Sequence, residues 1–125
     1  MSFPATYKTR LLNALDTVDL ASVEQAIQWF REARDQDRQV FVAGNGGSAA
    51  TASHFVCDMI KGASYQRDRR FRILALNDNT STITAYANDV GYDSVFVEQL
   101  RNFARPGDLY LAISGSGNSP NVVRA

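Results

Sequence analysis

The stretch that decides the fold reads Leu109-Tyr110-Leu111-Ala112-Ile113, followed by Ser114-Gly115-Ser116-Gly117-Asn118-Ser119-Pro120. A five-residue apolar run of this kind is typical of a strand buried on both faces of a parallel sheet. The loop after it carries three hydroxyls and two glycines, and Ser119-Pro120 predicts a helix start with Ser119 as the N-cap. Serine hydroxyls and glycine-exposed N–H groups at a helix start suit a bound phosphate.

A second loop of the same character, Gly44-Asn45-Gly46-Gly47-Ser48, follows the apolar run Val40–Ala43. In parallel sheets, ligands bind outside the carboxyl ends of the strands. If the first and third strands are neighbours, the two loops converge. The four serines expected around one phosphate are then Ser48, Ser114, Ser116 and Ser119. Ordinary turn and capping serines are the alternative interpretation of each loop taken alone.

Strands that alternate with helices predict an α/β fold, a three-layer α-β-α sandwich around a parallel sheet. The chain is interpreted as a single domain over residues 1–125, with N-terminal helices in 1–37 and three β-α units in 38–125. The predicted order is helix 5–15, a helix capped by Asp19 or Ser22, strand 39–43, helix 48–60, strand 71–76, a short helix to Tyr86, helix 94–103, strand 109–113 and a helix from Pro120.

The composition of the 125 residues narrows the class of protein. Thirteen basic residues balance thirteen acidic ones, so no broad electrostatic field favours nucleic acid or an anionic membrane. The single cysteine, Cys57, has no internal disulfide partner, which is typical of a reducing cytoplasm. No Gly-Lys-Ser/Thr follows either glycine-rich loop, and the glycines do not follow a G-x-G-x-x-G spacing. We therefore expect a cytoplasmic protein without a nucleotide cofactor.

His54, the only histidine, and Asp58 form a second candidate constellation on the helix predicted after Ser48. Their i, i+4 spacing places both side chains on one face of that helix. Together they suit general acid–base chemistry or two ligands of a divalent metal. A plain surface pair of residues is the alternative.

The two motifs Gly44-Asn45-Gly46-Gly47-Ser48-Ala49-Ala50 with His54-Phe55 and Ile113–Ser119 resemble the sugar isomerase (SIS) domain family. The resemblance is greatest to its phosphoheptose isomerase branch, the sedoheptulose 7-phosphate isomerases. It implies a five-stranded parallel sheet with flavodoxin-like strand order, in a homotetramer with active sites at subunit boundaries. It also implies isomerisation of a sugar phosphate through an enediol.

The same resemblance assigns roles to particular residues. It implies that zinc binds at the position of His54 in some members and that the catalytic base lies at the position of Asp58, which is also a candidate metal ligand. The substrate-contacting positions that it implies are Asn45, Gly46, Gly47, Ser48, Asn77, Asp78, Ser114, Gly115, Ser116 and Ser119, with the three serines of the second loop on the phosphate.

The chain departs from the family pattern at two positions. Asp58 stands where the family has glutamate, which shortens the carboxylate arm by one methylene, and Gly115 stands where the branch commonly has threonine. The resemblance also implies a second acid–base histidine and a glutamine ligand beyond Ala125, so we expect a C-terminal part to be missing. The favoured function is isomerisation of a sedoheptulose 7-phosphate-like substrate. The alternative is a non-catalytic, phosphosugar-binding or regulatory SIS protein, like the DnaA-binding initiation factor of this fold.

Overall fold

Three parallel strands form the sheet on which the rest of the chain is arranged. A computed structural model describes residues 2–125, with the sheet order β2-β1-β3. The strands are β1 (Gln39–Gly44), β2 (Arg72–Ala75) and β3 (Leu109–Ile113). In the register, Val42 lies opposite Ala75, and Gly44 lies opposite Ile113. The order matches the first three strands of the flavodoxin-like arrangement predicted from the sequence.

Helices cover both faces of this sheet, because β1 alternates its side chains between two apolar cores. Val40 and Val42 point to one face, and Phe41 and Ala43 point to the other. The buried residues of the first core are Ala33, Val40, Val42, Ala52, Val56, Ile73 and Ala75. Those of the second core are Phe41, Ala43, Leu76, Val95, Phe96 and Val122. The predicted three-layer α/β architecture is therefore confirmed.

The helices follow the predicted order with shifted ends. They are α1 (Phe3–Asp16), α2 (Leu20–Asp35), α3 (Gly47–Cys57), α4 (Thr80–Asp89), α5 (Val97–Phe103) and α6 (Pro120–Arg124). Asp19 caps α2 by accepting a hydrogen bond of 3.0 Å from the Ala21 N–H. The helix predicted to begin at Ser94 instead begins at Val97, because a 3₁₀ turn occupies Tyr92–Ser94.

The helix predicted for residues 48–60 changes form before its end. A π-helical turn runs from Asp58 to Gly62, closed by a 2.9 Å hydrogen bond from the Ala63 N–H to the Asp58 carbonyl. π-turns inside helices are rare and occur frequently at functional sites. The turn begins at the residue that the sequence places at the catalytic position.

The apolar run of β3 suits burial on both faces, and the described chain covers it only in part. Within residues 2–125, β3 pairs only with β1 and forms an edge of the sheet. Its residues are partly buried rather than enclosed on both faces, and Ala112 is exposed. A strand with one neighbour leaves a row of backbone groups unpaired. Because no strand lies on its other side, part of its side-chain surface is also exposed.

Helix α1 packs little against the remainder of the described chain. It contains no buried residue, and its apolar stripe, defined here as Tyr7, Leu11, Leu12 and Leu15, is about half exposed or more at every position. Among the described residues, no helix has the length and apolar character needed to cross a membrane.

Candidate functional site

The polar loops predicted as a ligand site lie together at the carboxyl edge of the sheet. Because β1 and β3 are neighbours, the loop that begins at Asn45 and the 114–119 loop leave the sheet side by side. Gly44 permits the sharp exit from β1, since a Cβ there would lie 2.6 Å from the Ser48 carbonyl oxygen. Gly46 precedes α3 with a φ of +52°, a conformation that L side chains rarely adopt.

The 114–119 loop brings three serine hydroxyls into one cluster. Ser114 Oγ lies 3.2 Å from Ser119 Oγ and 3.4 Å from Ser116 Oγ. The Gly117 N–H donates to Ser114 Oγ at 3.1 Å, and the Asn118 N–H donates to Ser116 Oγ at 3.2 Å. Two of the oxygens thus accept backbone hydrogen bonds, and the O–H groups that now bond within the cluster can rotate to donate to an anion.

Ser48 and Gly115 border this cluster in different ways. Ser48 is partly buried in the first turn of α3, and its N–H donates to the Asn45 carbonyl at 2.9 Å. The hydrogen bonds within residues 2–125 do not join its hydroxyl to the serine cluster. Gly115 is exposed, and a Cβ there would meet open space. The loop therefore has room for the larger side chain that the family resemblance implies.

The link between the two loops is a pair of asparagine side chains. The Asn45 Nδ2 donates to Asn121 Oδ1, and the Asn121 Nδ2 donates to Asn45 Oδ1, each at 2.8 Å. The Tyr92 hydroxyl also donates to Asn45 Oδ1, at 3.0 Å. The sequence interpretation missed Asn121 and Tyr92, because an asparagine near a helix start and a tyrosine in a turn-rich segment carry no distinctive local signal.

Asn77 joins the loops that follow β1 and β2. Its Oδ1 accepts from the Gly44 N–H at 3.3 Å, and its Nδ2 donates to the Ala49 carbonyl at 3.3 Å and to Ser53 Oγ at 3.0 Å. The Ser53 hydroxyl in turn donates a short hydrogen bond to Asp78. Asn77 therefore holds the loop after β2 against the end of β1 and the start of α3. The carboxylate of Asp78 is exposed beside it.

Helix α6 is fixed to the sheet by Tyr110. Its hydroxyl donates to the Val122 carbonyl at 3.1 Å, and burial raises the pKa of Tyr110 to about 12. On the outer side, Arg124 Nη1 lies 2.6 Å from Asp93 Oδ2. These two contacts hold the helix that carries Asn121 and follows the serine loop.

His54 and Asp58 form the predicted pair on α3. His54 Nε2 lies 3.5 Å from Asp58 Oδ1, and the two side chains are 77% and 70% exposed. His54 comes seven residues after the first residue of α3, about 10 Å along the helix axis. The pair therefore faces outward from α3, at a distance from the serine cluster, and the described chain does not enclose it.

The same pair offers one nitrogen and one oxygen to a metal. A catalytic zinc site takes three protein ligands and keeps one position open. Within residues 2–125, no group of three or more histidine, cysteine, aspartate or glutamate side chains is placed to hold a metal ion. The described residues do not make a zinc site by themselves.

Comparison with known proteins identifies the family of the chain. The sequence model of the SIS domain family matches residues 5–125. The chain is 46% identical over 104 residues to the phosphoheptose isomerase of Alteromonas mediterranea, covering 82% of this chain and 52% of that protein. It is 44% identical over 101 residues to that of Bordetella avium, covering 80% and 50%. The chain thus spans about half the length of these curated relatives.

Two solved structures have the same fold. The phosphoheptose isomerase of Neisseria gonorrhoeae superposes with a TM-score of 0.82 at 35% identity, over 94% of this chain and 60% of that one. A phosphoheptose isomerase from Francisella tularensis also gives 0.82, at 23% identity, over 98% and 67%, and this likeness bears on the fold alone. The chain belongs to the SIS domain family.

Proposed function

We propose that this member of the SIS domain family is part of a phosphosugar isomerase that acts on a sedoheptulose 7-phosphate-like substrate. The observation that carries the proposal is the cluster in which the hydroxyls of Ser116 and Ser119 both lie within 3.4 Å of Ser114 Oγ. The phosphoheptose isomerases among its relatives support the substrate class. The proposed reaction interconverts an aldose and a ketose phosphate through an enediol.

The serine cluster is the proposed phosphate site. Neutral hydroxyl donors bind a phosphate without a lysine and release it readily, because they add directional hydrogen bonds rather than a formal charge. The backbone N–H bonds to Ser114 Oγ and Ser116 Oγ orient both hydroxyls. Ser48 is the fourth proposed contact to the phosphate, from the neighbouring loop.

Asp58 is the proposed base. Its carboxylate takes a proton from the hydroxyl-bearing carbon next to the substrate carbonyl, and the carbonyl oxygen gains a proton, which gives the enediol. The protonated Asp58 then returns its proton to the former carbonyl carbon, and the hydroxyl oxygen on the other carbon loses its proton and becomes the new carbonyl. His54, whose Nε2 lies 3.5 Å from Asp58 Oδ1, is the proposed neighbour that orients the carboxylate or shuttles a proton between the oxygens. The shorter arm of aspartate requires a closer approach of the substrate than glutamate does.

The protein is proposed to act as a homo-oligomer, a tetramer by the family resemblance. The exposed apolar stripe of α1 supports association, because a 14-residue helix with no buried residue gains little stability from its own chain. The outward-facing His54 and Asp58 also fit a site that neighbouring subunits complete. A cytoplasmic location is part of the proposal, supported by the free thiol of Cys57.

A non-catalytic SIS protein that binds a sugar phosphate and regulates a partner is the second candidate. The observation that favours it is the 70% exposure of Asp58, combined with the loss of one methylene relative to the family glutamate. Both candidates use the serine cluster, so phosphate binding alone does not separate them.

An isomerase assay on the intact protein tests the proposal. Sedoheptulose 7-phosphate is supplied, and the aldose product is followed by NMR, with Ser114→Ala as the site variant. Ser2→Ala is the matched control, because the Ser2 side chain makes no capping hydrogen bond and lies outside the site. We expect turnover in the wild type and the control and a KM raised about tenfold in Ser114→Ala. Sugar phosphate binding without turnover would favour the regulatory candidate.

A further inference from the structure

The side chains of Asn45 and Asn121 form a reciprocal amide pair at the carboxyl edge of the sheet. Asn121 is only 2% exposed, although it lies in the short helix α6. Its two hydrogen bonds to Asn45, each 2.8 Å, connect residues 76 positions apart in the chain. A buried amide held this way favours one arrangement of the two loops over every other.

The pair also fixes which atoms of Asn45 remain free. Its Oδ1 accepts from both the Asn121 Nδ2 and the Tyr92 hydroxyl, which uses both lone pairs. One of the two N–H groups on its Nδ2 donates to Asn121 Oδ1. One N–H therefore remains as the only free hydrogen-bonding group of this side chain, and Asn45 is partly exposed. The side chain can present a donor to a ligand, and it has no free acceptor.

We propose that Asn121, together with Tyr92, is a positioning residue that orients the Asn45 amide as a hydrogen-bond donor to an oxygen of the substrate. This inference rests on the proposed function, because Asn45 is there a substrate-contacting residue. Asn121 itself does not touch the substrate. It also holds the start of α6, and with it the serine loop, in register with the loop that begins at Asn45.

The pattern of hydrogen bonds argues for positioning rather than simple filling of space. An apolar side chain at position 121 would fill the same volume next to Val122, which is 2% exposed. The asparagine instead meets the Asn45 amide with both its donor and its acceptor, and Tyr92 adds a third bond at the same oxygen. Two separate elements, α6 and the 3₁₀ turn, thus converge on one amide.

Asn121→Asp is the variant that tests this orientation. The substitution keeps the shape and the acceptor, and it removes the donor to Asn45 Oδ1. Two oxygens then face each other, so the Asn45 amide loses its fixed orientation. We expect kcat/KM to fall about tenfold or more in the intact protein. Asn88→Asp is the matched control, because Asn88 lies at the far end of α4 and bonds only its neighbour Asp89.

A second pair of variants separates positioning from general destabilisation. If Asn121 acts only through Asn45, Asn121→Asp should change kcat/KM less than about twofold in an Asn45→Ala background. Tyr92→Phe should lower kcat/KM in the same direction as Asn121→Asp, and the two effects should not add. An equal loss in the Asn45→Ala background, or a lowered Tm with kcat/KM unchanged, would overturn the proposal.

The side-chain amide resonances of Asn45 test the same contact without a substrate. We expect slow hydrogen exchange of the bonded Asn45 N–H in the wild type and fast exchange in Asn121→Leu, which removes the acceptor of that N–H. Unchanged exchange would overturn the positioning role. A protein that shows the expected exchange but neither binds nor turns over sedoheptulose 7-phosphate would contradict the proposed function and leave the orienting contact supported.

Discussion

Ser114 Oγ lies 3.2 Å from Ser119 Oγ, so the hydroxyls at the two ends of the 114–119 loop face one another. A loop of this length with its first and last side chains in contact gathers its hydroxyl groups at one place. That geometry leads to the first prediction.

An anion should bind among Ser48, Ser114, Ser116 and Ser119. The reason is that the hydroxyls of Ser116 and Ser119, both within 3.4 Å of Ser114 Oγ, offer together with it several neutral donors to one group. Crystals soaked with a sugar phosphate, and separately with sulfate, provide the measurement. An ordered phosphate elsewhere, with this loop unchanged and empty, would contradict the prediction.

Gly44→Ala should destabilise the fold. The added Cβ would lie 2.6 Å from the Ser48 carbonyl oxygen and 2.7 Å from its carbonyl carbon, so the backbone of α3 must move. We expect a loss of about 1 to 3 kcal/mol in the free energy of unfolding. Gly62→Ala is the matched control, since a Cβ there meets nothing within 4 Å. Urea denaturation compares the two, and equal midpoints would refute the argument.

Ionisation of Tyr110 should lower the free energy of unfolding at alkaline pH. Burial raises its pKa to about 12 in the folded state, against a usual value of about 10. Its contribution is therefore complete below about pH 10 and is lost as the pH rises toward about 12.

Comparison of wild type with Tyr110→Phe isolates this contribution, because other alkaline groups titrate in both proteins. At neutral pH, the variant should lose about 1 kcal/mol, since it lacks the hydrogen bond to the Val122 carbonyl. The stability difference should change only above about pH 10. A difference that is constant up to about pH 12 would show that the hydroxyl titrates normally in the folded state.

Leu12→Glu should lower the oligomeric state without unfolding the chain. Leu12 is 51% exposed on α1, which has no buried residue, so the charge meets little of its own chain. In an association through the apolar stripe, the same charge would be buried against another subunit at a large cost. Light scattering of the intact protein measures the mass, and Arg10→Glu serves as the control. Unchanged mass in Leu12→Glu would remove α1 from the interface.

The sequence predicts the sheet well because local patterns determine it. The apolar runs of β1 and β3, each followed by a glycine- and serine-rich loop, mark strands whose ends meet at one edge. The apolar run of β3 does not by itself tell how many strands lie beside it, because such a run looks the same with one neighbour or two. The real environment of Ala112 depends on which strands lie beside it.

The candidate site is less visible from sequence because its links are long-range. Asn45 and Asn121 are 76 residues apart, and no spacing rule connects them. The π-turn at Asp58 is equally hidden, since its defining bond runs from the Ala63 N–H to a backbone carbonyl and requires no particular side chain. The roles of Asp58 and of the serines stay predictions.

The most direct test of the isomerase proposal is proton exchange in D₂O. The intact protein is incubated with sedoheptulose 7-phosphate, and deuterium at the carbons beside the carbonyl is measured by mass spectrometry and NMR. The proposal predicts deuterium in the product and in recovered substrate for the wild type. It predicts a loss of at least about a hundredfold in rate for Asp58→Asn, with sugar phosphate affinity retained. Asp58→Glu should keep exchange. Tight binding without any deuterium incorporation, or unchanged exchange in Asp58→Asn, would contradict it.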